Sequence, residues 1–380
     1  MVATTAVGST IKKHFRRLKD PRVVGRSRHL LVDIIVVAIC GVIANCDDWR
    51  DIELFAKKRL GWFKRFLKLP AGIPSHDTME RVFANLEPRA FERCCIMWLR
   101  AVADLLGLGH IAIDGKTLCG SVSAKLGPLH LVSAWATEAK LTLGQVAVDS
   151  KSNEITAIPQ LLELLDLKGA LVTIDAMGCQ KEIAAKIVAR GGDYVLAVKG
   201  NQEHLLEDVQ STVMRALEGE LPPHVVVEQT TTEYSHGRHE RRTCVVINDV
   251  KGIRNRKSWP GLKTIIMCGC ERTIKDETSV EVRYFIGSRK MGVRRYAQVL
   301  RGHWGIESMH WQLDISFSED ASRIQDRNGA ANFAMLRKMG LCLLKQHPRK
   351  DSIARKRKAA AIDPEFHAEV LTGAGRLEKI

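Results

Sequence analysis

The stretch Ile111-Ala-Ile-Asp-Gly-Lys-Thr-Leu-Cys-Gly-Ser121 organises the rest of the chain. A short apolar run with two isoleucines ends on Asp114, and Gly115 follows at once. It reads as a buried strand, 111–114, delivering a carboxylate to its exposed end, where the chain turns. Alone, an Asp-Gly pair is also an ordinary turn. The carboxylate gains meaning only if other acidic residues converge on it.

Working outward, Leu129–Ala136 and 141–149 read as two further strands with a turn near 138–140. Asn153 opens a helix to about Leu165, with Glu154 favourable in its first turn. Residues 170–175 form a second short buried strand ending on an aspartate. Residues 180–190 are helical, ended by Gly191-Gly192, and Asp193–Val198 is a fifth strand. Three meandering strands followed by helix, strand, helix, strand is the order of a ribonuclease-H-like α/β core, whose mixed sheet binds ligands at its strand ends.

Before this core, residues 12–107 show helical periods broken by Gly and Pro, with Ser75 as an N-cap and Pro88 in a first turn. This helical N-terminal domain mixes aromatics with Lys and Arg. It is either a DNA-end-binding module or a cap packed on the next domain. The first part of the core spans 108–218. Strand composition at 225–234, 241–247, 263–272 and 279–287 marks a β-rich insertion over 219–290. Helices at Val293–Phe317 and 328–346 complete the core over 291–346, and 347–380 reads as a mobile, basic tail.

Lys and Arg exceed Asp and Glu by 15 among 380 residues, which favours a polyanion such as nucleic acid as partner. The ten cysteines include no CxxC pair and fall mostly in apolar runs, as expected of reduced core thiols in a cytoplasmic protein. No signal peptide is visible. The apolar run 30–44 carries Asp33 and is too short to span a membrane, so a buried helix is expected there.

Asp114 and Asp175 end strands that lie side by side in the expected sheet. Two close carboxylates repel unless one is protonated or a cation bridges them, so the pair implies a metal site or a general acid/base pair. The third carboxylate is Glu307, within Arg301-Gly-His-Trp-Gly-Ile-Glu-Ser-Met-His-Trp-Gln-Leu-Asp314. On a helix, His303, Glu307, His310 and Asp314 share one face. Trp304 and Trp311 are expected to flank that stripe and pack the helix on the sheet. Neither His303-x3-Glu-x2-His310 nor His236-x2-His239 has zinc-site spacing, and no Gly-rich phosphate loop is present. Oxygen-only ligands favour two magnesium ions, with manganese as the alternative, and hence phosphodiester chemistry on nucleic acid.

The chain resembles the DDE transposases of bacterial insertion sequences, in the H-repeat-associated branch. The resemblance rests on Ile111-Ala-Ile-Asp-Gly-Lys-Thr-Leu118, Lys151-Ser-Asn-Glu-Ile-Thr-Ala-Ile-Pro159 and Thr173-Ile-Asp-Ala-Met-Gly-Cys-Gln180. It continues through Gly191-Gly-Asp-Tyr194, Lys199-Gly-Asn-Gln202, His303-Trp-Gly-Ile-Glu307 and Ser318-Glu-Asp-Ala-Ser-Arg323. It implies a catalytic, metal-holding triad of Asp114, Asp175 and Glu307 with two divalent ions. It also implies nicking at transposon ends, followed by attack of the freed 3′-hydroxyl on target DNA. The implied partner is double-stranded DNA, bound by a homodimer or higher assembly. Lys116, Lys199, Arg301, His303, His310, Asp314 and Arg323 are candidates for phosphate contacts or for groups behind the ligands. Related transposases carry Tyr-x2-Arg-x3-Glu-x6-Lys around the glutamate, where this chain has Leu300, His303, Glu307 and Asp314; Cys119 stands where close relatives are expected to carry arginine. A DNA-binding relative without catalysis, and a nuclease without strand transfer, are the competing readings.

Overall fold

The computed structural model describes residues 11, 13–23, 25, 27–103, 109–122, 127–148, 153–235, 237–275 and 277–373. The expectations touching 104–106, Asp149, Lys151, Ser152, His236 and the last seven residues lie outside these.

Among the described residues, helical positions at 11 and 13–15 are followed by five helices: α1 (Leu31–Ile43), α2 (Trp49–Lys58), α3 (Leu60–Phe63), α4 (His76–Asn85) and α5 (Pro88–Ala103). The unbroken apolar run of α1 makes it a buried helix, as expected. Its one acid, Asp33, is 2% exposed and accepts the Leu69 backbone N–H at 2.8 Å. Ser75 caps α4 by accepting from the Thr78 N–H. Among the described residues no helix is long and apolar enough to cross a membrane.

A nine-stranded sheet follows, in the order β3-β2-β1-β4-β5-β9-β8-β7-β6. The strands are β1 (His110–Leu118), β2 (Leu129–Ala136), β3 (Leu141–Val148), β4 (Leu171–Ile174), β5 (Asp193–Val198), β6 (Val226–Ser235), β7 (Arg238–Ile247), β8 (Thr264–Ile274) and β9 (Glu277–Gly287). β1 to β3 form an antiparallel meander, while β4 and β5 run parallel to β1. Between them stand α6 (Glu154–Leu164), α7 (Lys181–Ala189) and α8 (Glu203–Leu217). Asn153 caps α6 through the Ile155 N–H.

One expectation changes here. The opening strand does not end at Asp114: it pairs with β2 as far as Leu118, because β2 continues alongside it after β4 has ended. The strands of 219–290 extend the same sheet, β9 pairing with β5 through Val195↔Gly287 to Val198↔Tyr284.

Period-two alternation sorts the side chains between two layers. Ile111, Ile113, Val172 and Ile174 pack with α6 to α8 on one face. Ala112 and Leu171 face the other side, towards α9 (Val293–Phe317) and α10 (Arg327–Gln346). The N-terminal helices join that second layer in one apolar core with α10. Asn332 of α10 donates to the carbonyls of Phe83 and Leu86.

The basic run after residue 347 folds into α11 (Ile353–Ile362) and α12 (Pro364–Thr372), which corrects the expectation of a mobile tail. Two of its charges, Lys356 and Arg357, are consumed internally. Arg357 is fully buried and donates to the Val42 carbonyl at 2.9 Å, to Asp47 at 2.7 Å and to the Ser316 carbonyl. Lys356 donates to the Leu344 and His347 carbonyls at 2.9 and 2.8 Å. Carbonyls at helix C-termini have no intrahelical donor, so cations are favoured there.

Candidate active site

The last parallel pair between β1 and β4 is Ile113↔Ile174, so Asp114 and Asp175 are the next residues on neighbouring strands. Asp114 follows Ala112 in alternation and faces α9. Asp175 opens the turn into α7, and its carboxylate accepts from the Gly178 N–H at 3.4 Å. The Lys199-Gly-Asn-Gln202 segment clamps this turn: Asn201 donates to the Ala176 carbonyl at 2.7 Å and Gln202 to that of Cys179 at 2.9 Å.

α9 brings four polar residues to β1 and β4. His303 Nδ1 lies 2.8 Å from Thr173 Oγ1. That hydroxyl also meets His110 Nε2 at 2.8 Å, and His110 Nδ1 meets Thr137 Oγ1 at 2.9 Å. Burial lowers the pKa of both imidazoles, His110 to about 3, so the chain His303–Thr173–His110–Thr137 is neutral near pH 7. Glu307 projects into a cavity also lined by Asp114 and Asp175, while His310 Nδ1 lies 3.4 Å from Asp114 Oδ2. Asp314 pairs with Lys116, whose ammonium also reaches Glu319 at 2.9 Å and Asp320 at 3.5 Å. Burial alone would lower the Lys116 pKa, but Glu319 and Asp314 outweigh it and raise it.

Trp311 does not pack the helix on the sheet: it is 61% exposed, whereas Trp304, 36% exposed, meets the sheet through Arg283 of β9. Ile306, Met309, His310, Leu313 and Phe317 make the buried stripe, leaving Trp311 on the outer side.

The cavity measures about 880 Å³ and runs from the carboxylates along β9, β8 and β7 under the first half of α9. Lys199, Arg242, Arg283, Arg294 and Arg301 line it. Arg283 stacks 5.2 Å over the Trp304 ring, and Arg301 pairs with Glu233 at 2.9 Å. Arg323 is exposed on the loop after α9. Cys119 is exposed in a short turn that touches this loop, because its neighbour Gly120 lies against the Ser322 and Asp320 carbonyls.

Burial raises the pKa of Asp175, and the charges of Glu154 and Asp114 raise it further. Burial and then Asp114 raise that of Glu307. The carboxylates thus feel one another, although among the described residues no group of three or more His, Cys, Asp or Glu converges closely enough to hold a metal ion. Sequence reasoning passed over Glu154 as a helix-terminal charge, and over Arg242 and Arg283 as strand residues. The strand alternation was a usable signal for the arginines.

A family model described as "Transposase DDE domain" matches residues 107–343, and one described as "DDE_Tnp_1-associated" matches 12–99. "Putative transposase YncI" of Escherichia coli O157:H7 is 41% identical over 95% of this chain and 94% of its own length. "H repeat-associated putative transposase YhhI" of Escherichia coli K12 is 38% identical over 96% and 98%. A short relative from the same strain, "Inactive transposase YbfQ", is 36% identical over 20% of this chain. The fold and its paired carboxylates on neighbouring strand positions are those of an α/β protein with an acidic centre beside a basic cavity. The chain belongs to the DDE transposase family.

Proposed function

We propose that this protein binds the ends of an insertion sequence, nicks them, and joins the freed 3′-hydroxyl to target DNA. The observation that carries the reading is the meeting of Asp114, Asp175 and Glu307 on one cavity whose remaining wall bears five basic side chains. In this reading β1 to β5 with α6 and α7 are a ribonuclease-H-like core, and the three carboxylates are its catalytic triad.

The donor chemistry suits two magnesium or manganese ions: it is all oxygen, and the charge of Asp114 raises the pKa of both Asp175 and Glu307, a repulsion that a cation would relieve. Such ions, when bound, would activate a water or 3′-hydroxyl and stabilise the leaving oxygen. The chain's own residues do the rest. Asp114, Asp175 and Glu307 would hold the ions between the sheet and α9. Arg242, Arg283, Arg294, Arg301 and Lys199 receive DNA phosphates. His310 fixes the Asp114 carboxylate from behind. Lys116 is committed to Asp314 and Glu319, and acts by fixing the second half of α9 against β1. Double-stranded DNA is then the partner, bound in the cytoplasm by two or more copies that hold two ends together.

The test is an assay with purified protein, magnesium, a labelled insertion-sequence end and a target plasmid. Joined product is expected, and Asp114→Asn, Asp175→Asn and Glu307→Gln should each abolish it while still retaining DNA in a shift assay. Cleavage without joining would reduce the protein to a nuclease; undiminished cleavage in any of the three variants would remove that residue from the triad.

A further inference from the structure

Glu154 is a carboxylate to which the triad gives no role. It is the first residue of α6, and its side chain is 14% exposed. Its Oε1 lies 2.7 Å from His130 Nε2 on β2, and the other ring nitrogen lies 2.8 Å from Thr117 Oγ1 on β1. Three elements therefore fix one carboxylate. Among the described residues its only ion-pair partner is His130; no Lys or Arg neutralises it.

Its position is defined by Gly115. A Cβ at that residue would overlap both the Glu154 carboxylate and the His130 ring, so Glu154 lies against the backbone next to Asp114. Gly115 follows Ile111 and Ile113 in alternation, on the sheet face opposite α9. The carboxylates of β1 and β4 are thus bracketed, with Glu307 on one side and Glu154 on the other. A purely helix-terminal acid, facing solvent, would need neither a glycine to admit it nor a histidine to aim it.

We propose that Glu154 is a fourth carboxylate of this site, acting with Asp114 and Asp175 on the divalent cation, and that His130 and Thr117 are positioning residues that aim it. The inference rests on the metal-dependent reading above. It gives the glycine of the opening motif a cause: the missing side chain is the room Glu154 occupies.

The experiment is manganese binding to the full-length protein without DNA, followed by electron paramagnetic resonance, with metal-free melting curves recorded alongside. Glu154→Gln and Gly115→Ala should each weaken Mn2+ about 10–100-fold, the range found when groups supporting a metal site are removed. Glu154→Asp should recover part of the loss. A merely structural Glu154 would lower the melting temperature and leave the affinity of the folded protein unchanged, which overturns the proposal. Asp114→Asn separates the two readings. If it loses Mn2+ while Glu154→Gln binds normally, only the present inference falls; if Asp114→Asn binds normally, the metal-dependent reading falls and takes this one with it. Should Glu154→Gln fail to fold, Gly115→Ala decides, since it displaces the carboxylate without removing its charge.

Discussion

The two halves of α9 are built on opposite principles. The first half, to Glu307, lines an open cavity and carries Arg294, Arg301, His303 and Trp304, with Arg294, Arg301 and Trp304 exposed. The second half is tied down: His310 to Asp114, Asp314 to Lys116, and Phe317 beneath Arg357 at 4.1 Å. Glu307 stands at the border. The role proposed for Glu307 needs a carboxylate that is both held and accessible, and its place one turn before the anchored segment meets both demands. Rigid support on one side and solvent on the other is how a side chain is pre-organised without being buried.

The sharpest way to break this contrast is at the anchor. Arg357→Met should cost about 3–5 kcal/mol in urea unfolding, because it leaves several buried carbonyls without their donor and the half-buried Asp47 without its cation. A loss below about 1 kcal/mol would show that the second half is not held from this end. Acid acts more gradually. Burial, then the charge of Arg59, lowers the His367 pKa to about 3, against 6.5 unfolded. Here the unfolded chain binds the extra proton, so stability is complete above pH 6.5 and declines as pH falls from there towards 3, by up to about 1.4 kcal/mol per unit. His367 stacks 5.0 Å from the Trp62 ring, so His367→Phe should flatten part of that decline in pH-dependent melting. An unchanged slope would place the acid sensitivity elsewhere, with His110 the next candidate. The smallest effect belongs to the open half. Arg294→Ala should leave the unfolding midpoint alone and reduce the salt slope of DNA binding by about one. A variant that alters stability but not the slope would reverse the roles assigned to the two halves.

Much of this was legible in the sequence because it is local. Alternation placed β2 and β5 at their observed ends, and the helical period delivered Val293–Phe317 whole. The spacing of His303, Glu307, His310 and Asp314 was enough to turn them all towards one sheet. What escaped depends on partners far along the chain. A basic run reads as a solvated tail until Val42 and Ser316 supply acceptors more than 40 residues away, as they do for Arg357. An Asp-Gly pair reads as a turn until β2 is found carrying the ladder on to Leu118. Trp311 reads as packing because tryptophan usually packs, yet the buried stripe was already filled by Ile306, Met309 and Leu313. Glu154 was legible as a helix start and illegible as a neighbour of Asp175, since α6 reaches Asp175 only through tertiary packing.

Arg357 has one more consequence, and it concerns time. The carbonyl of Val42 waits for a donor that the ribosome adds 315 residues later. At about 5–20 residues per second, that interval is on the order of 15–60 s of synthesis. Until then α1 and the end of α9 lack their common clasp, so a nascent chain carries its acidic residues without the scaffold that aligns Glu307 with them. Completion of this part of the fold is thereby coupled to the synthesis of α11, and a chain terminated before it would lack the brace that holds the helix bearing Glu307.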